Sequence, residues 1–289
     1  YKKGIEQLPQ GFLLGSETAS TVSSRGVYKF PVVVSDKATY PDGQCSGYDT
    51  EYCPWSNLPD DDWQMQDDNP WVIGEFVWTG YDYLGEPTPY DGYWPSRSSY
   101  FGICDLAGLP KDRYYLYRSH WNKDSHTVHL LPHWTWPGRE GEVTPVYCYT
   151  DGESAELFVN GKSQGRVRKN KDSRLDRYRL RWNEVKYEPG EIRVVAYDAD
   201  GNKIGEDMRR TAGAPARLVL TAECPDHVEP NVLKADGDDM AFVTVSLQDK
   251  DGNLCPAANN ELSFEVSGAA TFQAACNGDA TSLEPFTQP

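Results

Sequence analysis

Gly11-Phe12-Leu13-Leu14-Gly15-Ser16-Glu17-Thr18-Ala19-Ser20 is the stretch on which the fold turns. Apolar residues and glycine run without polar alternation into Ser-Glu-Thr. Such a run predicts a strand buried on both faces, as in a parallel sheet. Its single acid, Glu17, then stands at the C-terminal tip, where a (β/α)8 barrel carries its catalytic groups. Acids also favour helix N-termini, so capping of a following helix is the other reading of Glu17.

A second run, Trp71-Val72-Ile73-Gly74-Glu75-Phe76-Val77-Trp78-Thr79-Gly80-Tyr81-Asp82-Tyr83-Leu84-Gly85-Glu86-Pro87-Thr88-Pro89, is again an apolar strand and opens into an aromatic, acidic loop. Beyond it lies Ser98-Ser99-Tyr100-Phe101-Gly102-Ile103. The motifs Gly-Ser-Glu-Thr-Ala-Ser, Glu-Phe-Val-Trp-Thr-Gly-Tyr-Asp-Tyr-Leu-Gly-Glu-Pro and Ser-Ser-Tyr-Phe-Gly-Ile resemble, in combination, barrel strands seven and eight of glycoside hydrolase family 2. The resemblance is to its bacterial β-galactosidase branch, and it runs more loosely after about residue 215. It implies a multidomain chain: the C-terminal part of a TIM barrel over residues 1–122, an immunoglobulin-like β-sandwich over 123–212 and a second, truncated one over 213–289. A complete barrel needs eight strands and about 250 residues, so the first six βα units are expected upstream, as a missing N-terminal part of the same enzyme.

The pattern along the chain agrees with that division. A helix is expected from Lys111 to Trp121, and the long loop from Lys37 to Asp68 is expected to wall the site. After it, short alternating strands take over: Thr127–Leu131, Val143–Thr150, Ala155–Val159 closed by the hairpin turn Asn160-Gly161, and Glu191–Tyr197. Gly213-Ala214-Pro215-Ala216 reads as a linker. Strands are expected again at Arg217–Thr221, Phe242–Leu247 and Leu262–Val266, with no strand left to close the last sheet.

Composition removes several function classes. With 28 basic and 44 acidic residues the net charge is −16, which repels nucleic acid and anionic membranes. No apolar run approaches the roughly 20 residues that span a bilayer. Seven cysteines show no Cys-x-x-Cys or zinc spacing. Cys45 and Cys53 are near enough to pair in an oxidising compartment, while Cys104, Cys148 and Cys276 read as buried thiols. Asp60-Asp61-Asp62 and Asp67-Asp68 read as a solvated loop, Asp198-x-Asp200-x-Asn202 as a plain turn, and His120, His126, His129 and His133 as packing at the junction between barrel and sandwich. No metal or cofactor is expected.

The resemblance assigns the chemistry. Retaining glycosidases use two carboxyls about 5–5.5 Å apart. Glu17 matches the nucleophile after strand seven, whereas the acid/base residue follows strand four, outside this sequence, so the isolated chain is expected to be inactive. Trp78 matches the tryptophan flooring the −1 subsite, often followed by a non-proline cis peptide. Tyr48, Asp49, Glu86 and Arg97 are candidate binders of sugar hydroxyls, and Glu75 is expected to be a buried, paired acid. The residue before Gly102, an asparagine in some members, is Phe101 here. The expected substrate is a terminal β-galactoside. Alternatives are a β-glucuronidase or β-mannosidase of the same family, or carbohydrate-binding sandwiches with Trp134, Trp136 and Trp182 as an exposed platform. A periplasmic or extracellular location is expected, and a homo-oligomer stays open.

Overall fold

The computed structural model describes residues 1–223 and 232–287. In chain order these form α1 (Lys2–Ile5), β1 (Leu13–Thr18), β2 (Thr21–Val22), β3 (Glu51–Tyr52), α2 (Pro59–Asp68), β4 (Val72–Val77) and α3 (Asp112–Trp121), followed by nine strands. These are β5 (Val128–Leu131), β6 (Val146–Thr150), β7 (Ser154–Val159), β8 (Lys162–Arg168), β9 (Leu180–Trp182), β10 (Glu191–Tyr197), β11 (Lys203–Arg210), β12 (Arg217–Glu223) and β13 (Phe242–Gln248). Strand therefore dominates and helices are few.

β1 and β4 are parallel neighbours, joined through α2 as a β-α-β unit. They are not buried on both faces as the apolar runs predict. Leu14, Ile73 and Phe76 are 47%, 57% and 63% exposed. The other face is covered: Trp63 of α2 donates its indole N–H to Glu75 (2.6 Å) and Thr18 donates its hydroxyl to the second carboxylate oxygen (2.8 Å). Glu75 is thus hydrogen-bonded at both oxygens but only half-buried, short of the fully buried acid the sequence predicts, and desolvation raises its pKa.

Two sheets follow. One is ordered β11-β10-β7-β8 and the other β5-β6-β9. Leu130, Val146, Cys148, Leu180 and Trp182 from the second meet Leu157, Val159, Ile192 and Val194 from the first in one apolar core. Each fully buried aliphatic side chain there contributes about 1.5–3 kcal/mol of transfer free energy. The β7–β8 hairpin turns on Asn160 and Gly161, at φ +48° and +77°, the two positive values a type I′ turn requires. β6 is buried on both faces. Val146 and Cys148 face the sandwich core, while Tyr147 and Tyr149 pack with Tyr48, Trp63, Leu116 and Tyr117 of the first unit. One strand thereby joins two cores.

Several expectations need correction. The acidic run after Pro59 is not a solvated loop. Pro59 opens α2 and three aspartates fill its first turn, the combination that favours a helix start. The run meets arginines of the sandwich: Asp61 with Arg174 at 2.7 Å, Asp68 with Arg177 at 2.7 Å, and Asp60 with Arg179, both fully buried. The third region shows β12 and β13 as a two-stranded antiparallel sheet, but Leu262–Val266 is not a strand. Parts of the expected second sandwich, 224–231 and 288–289, lie outside the described residues. Cys276 is exposed; Cys45, Cys53 and Cys148 are buried free thiols. Asp198 does form a plain turn, accepting the backbone N–H of Asn202 at 2.8 Å.

Three of the four junction histidines pack, as expected, whereas His126 is exposed and pairs with Asp151 at 2.6 Å. His129 pairs with Asp112 at 2.6 Å and stacks on Tyr115 at 3.8 Å, and His120 stacks on Trp63 at 4.4 Å. His133 stacks on Trp136 at 4.0 Å and meets Tyr28 edge-on. Burial pushes the His133 pKa down to about 4. A depressed pKa means that the unfolded chain binds the extra proton, so this contribution is full above pH 6.5 and is lost as pH falls towards 4. Replacing His133 by Phe should therefore shift the stability difference between wild type and variant by about 2 kcal/mol in favour of the variant between pH 7.5 and pH 5. Urea midpoints at the two pH values check this, and an unchanged difference would contradict a neutral buried imidazole.

Candidate active site

Glu17 owes its position to a bulge. Gly15 pairs with Glu75 and Thr18 with Val77, so Ser16 and Glu17 together oppose Phe76 alone. An extra residue of this kind bends a strand and re-aims a side chain. The Glu17 side chain is exposed at the strand tip. No helix follows it; the chain passes into β2, which removes the capping alternative. Among the described residues its carboxylate accepts no hydrogen bond, and it lines a pocket with Thr18, Ala19, Trp55, Ser56 and Asn57.

Trp78 stands beside it. Its backbone N–H donates to the carbonyl of Thr18 at 2.8 Å, so the residue after Glu17 is tied to the residue after β4. The Trp78–Thr79 peptide is cis, as the family motif implies. The indole N–H of Trp78 donates to the hydroxyl of Tyr83 at 3.2 Å, and that hydroxyl donates to Glu86. Glu86 lies in the left-handed region at φ +45°. Trp78 and Glu86 are therefore brought together, through Tyr83.

The site rests on a buried cationic base. Lys111 pairs with Asp82 at 2.7 Å and donates to the carbonyl of Ser23 at 2.7 Å. Arg113 donates to the carbonyl of Thr21, to Ser23 Oγ at 2.8 Å and to the carbonyl of Tyr100 at 3.3 Å. Both cations flank the start of α3 and grip the segment that leaves Glu17. Gly102 packs into the same base: a Cβ there would lie 2.1 Å from the amide nitrogen of Asp82, so no side chain fits. Phe101, where some members of the resembled family have asparagine, is 1% exposed and belongs to an apolar cluster with Tyr90 and Tyr100. It offers no polar group to a ligand.

Two expected hydroxyl binders are buried instead. Tyr48 is wholly enclosed and donates its hydroxyl to the carbonyl of Pro145 at 2.6 Å. Asp49 is equally enclosed, beside Arg113 at 3.5 Å, and accepts the Tyr149 hydroxyl at 3.0 Å. Burial pushes the Asp49 pKa up to about 6 against the opposing pull of Arg113. Both residues belong to the junction with the sandwich, because Pro145 and Tyr149 lie about a hundred positions later and leave no local signal. Arg97 has its guanidinium on the carbonyl of Glu284 at 3.4 Å and over the ring of Phe286 at 5.7 Å.

Two residues were not anticipated. Tyr83 bridges Trp78 and Glu86; its place in an aromatic loop was the available signal. Trp55 is 66% exposed in the pocket that contains Glu17. It sits in a turn closed by Ser56 N–H on the Cys53 carbonyl at 2.9 Å, and sewn to the site by Ser20 N–H on Ser56 Oγ at 2.7 Å. An aromatic after Pro54 at a turn corner was the signal there. Trp134 and Trp182 are buried and Trp136 packs against their core, so the three form no exposed platform for a sugar.

Residues 227–289 match the family described as glycoside hydrolase family 2 C-terminal domain 5, and residues 141–205 match a domain of unknown function, DUF4982. Over 99% of its length the chain is 42% identical to the β-galactosidase BoGH2A of Bacteroides ovatus. The chain belongs to glycoside hydrolase family 2. Another family relative in sequence is a putative β-glucuronidase of Formosa agariphila, 34% identical over 71% of the chain. A solved β-glycosidase from Bacteroides vulgatus superposes on 96% of the chain with a TM-score of 0.78 at 33% identity. This family 2 chain spans 33% and 19% of the length of the two curated relatives and 36% of the solved one.

No helix among the described residues is long and apolar enough to cross a membrane. Among the same residues no group of three or more His, Cys, Asp or Glu side chains is arranged to hold a metal.

Proposed function

We propose that this chain is the C-terminal part of a longer, retaining, exo-acting β-galactosidase, with Glu17 as its nucleophile. The observation that carries the reading is the shared tip of β1 and β4, where a bulged carboxylate stands beside Trp78. β1, α2, β4 and α3 alternate as the last two βα units of a (β/α)8 barrel would. The exposed face of Leu14, Ile73 and Phe76 is suited to the interior of a closed barrel. The two packed sheets then form an immunoglobulin-like spacer.

In this mechanism Glu17 attacks the anomeric carbon while an acid from the preceding part of the barrel protonates the departing glycosidic oxygen. A glycosyl ester forms on Glu17. Water, deprotonated by the same partner, displaces it with overall retention. Trp78 packs on the C–H face of the sugar, and Glu86 accepts from hydroxyls. Activity is expected outside the cytoplasm, on glycans.

A β-glucuronidase is the second reading, since a relative carries that name. Such an enzyme presents cations to the substrate carboxylate. Arg97 is the cation nearest this loop in sequence, and its guanidinium is engaged by Glu284 and Phe286. A neutral sugar fits better. The test is covalent trapping of the full-length enzyme with a 2-deoxy-2-fluoro-galactosyl donor, followed by peptide mapping. A galactosyl adduct on the Glu17 peptide is expected. An adduct only from the glucuronyl or mannosyl analogue would overturn the sugar, and an adduct on another residue would overturn the nucleophile.

A further inference from the structure

The loop from Ala275 to Phe286 returns to the first unit, far from its own neighbours in sequence. Its base is closed by the Ala275 N–H on the Phe286 carbonyl at 2.8 Å. From there it makes a row of polar contacts. Arg25 donates to the Asn277 carbonyl at 3.0 Å and Gln44 to Asp279 at 2.8 Å. Ala280 is 6% exposed and belongs to the apolar cluster of Tyr90, Tyr100 and Phe101. Gly278, at φ +78°, lies so close to buried Asp105 that a Cβ would come within 2.1 Å of a carboxylate oxygen. Glycine alone satisfies both constraints.

The loop also reaches the sugar-binding ribbon. The Ala280 carbonyl accepts the Arg97 N–H at 3.2 Å, and the Arg97 carbonyl accepts the Gly85 N–H at 2.7 Å. Two residues on, the Ser99 N–H donates to the Tyr83 carbonyl at 2.8 Å. Residues 97–99 therefore have the returning loop on one edge and Tyr83, Leu84 and Gly85 on the other, one residue short of Glu86. The Arg97 side chain closes the same junction through Glu284 and Phe286.

We propose that the loop Ala275–Phe286 is a positioning strap for the sugar site. It fixes residues 97–99, and through them the Tyr83–Glu86 segment that holds Trp78 and offers a carboxylate to hydroxyls. Arg97 is then a positioning residue, and its role is to join strap and ribbon. The proposal rests on Trp78 and Glu86 contacting the sugar. Strap and ribbon rigidity act on ground-state and transition-state contacts alike, so their loss raises KM more than it lowers kcat.

The test is Gly278→Val in the full-length enzyme, with Phe286→Ala as a milder second variant that removes the ring beneath Arg97 without a clash and leaves its contacts with Glu284 and Ala280. Kinetics are read on whichever of galactoside, glucuronide or mannoside the wild type hydrolyses, and hydrogen exchange is read on peptides covering 81–100. Gly278→Val should raise KM about tenfold or more with kcat within about threefold, and should speed exchange in that peptide; Phe286→Ala should do both to a smaller extent. Unchanged exchange over 81–100, or kcat falling together with KM unchanged, overturns the strap. If the wild type hydrolyses none of the three glycosides, the reading of function fails separately, and the strap stands or falls on the exchange result.

Discussion

Glu17→Gln in the full-length enzyme should abolish turnover, lowering kcat by about 10⁴-fold or more, which corresponds to at least about 5.5 kcal/mol of transition-state stabilisation. The carboxamide keeps the shape of the side chain but cannot form the glycosyl ester. The fold should survive, because Glu17 is exposed and its carboxylate accepts no hydrogen bond from the described residues; no buried donor is orphaned by the change. A thermal midpoint within a degree or two of wild type is the matching expectation. Glu17→Gly sharpens the experiment. It opens space at the strand tip, and azide can then attack the anomeric carbon from the side the carboxylate occupied. On an activated β-galactoside the product should be the α-galactosyl azide, with inverted configuration. Near-wild-type kcat in Glu17→Gln, or a β-azide from Glu17→Gly, would remove Glu17 from the nucleophile's role.

The sequence was most legible where a pattern is local. The apolar run before Glu17, the run before Trp78, the helix from Asp112 and the alternating strand Glu191–Tyr197 all follow from neighbours in the chain. The Asn160-Gly161 turn follows from two residues. α2 is harder to read although Pro59 and three aspartates mark a helix start, because the same acids also fit the charges of a solvated loop. Tyr48 and Asp49 were misplaced for a different reason. A tyrosine and an acid on a glycine-rich loop have the composition of a binding site, and only Pro145, Arg113 and Tyr149, brought in by the tertiary fold, make them interior. Arg97 is similar: its partners lie nearly two hundred residues later. The Glu17 bulge is invisible in sequence, since the extra residue exists only relative to β4.

The second large effect concerns those distant partners. Arg179→Leu should destabilise the junction between the first unit and the sandwich by about 3–5 kcal/mol, the cost of leaving one partner of a buried pair alone. Arg179 and Asp60 are both 0% exposed. The guanidinium also donates to the carbonyls of Tyr48 and Asp49 at 3.2 and 3.1 Å, so its removal orphans a carboxylate and two carbonyls at once. Burial already raises the Asp60 pKa, with Arg179 opposing that rise, and in the variant Asp60 should take up a proton on folding near neutral pH. The stability of Arg179→Leu should accordingly improve as pH falls, the sign expected when the folded state binds more protons than the unfolded one. The double variant Asp60→Leu/Arg179→Leu separates the pair from its desolvation. It removes both charges and leaves the carbonyls as the main loss, so it should recover a large part of the deficit. The pairs at Arg174 and Arg177, each with at least one partner in solvent, behave otherwise: removing either should cost about 1 kcal/mol or less and weaken with salt. Denaturant midpoints of the four-member cycle, at low and high salt, check the whole scheme. A double variant no more stable than Arg179→Leu would mean that the carbonyl contacts, and not the buried carboxylate, set the strength of this junction.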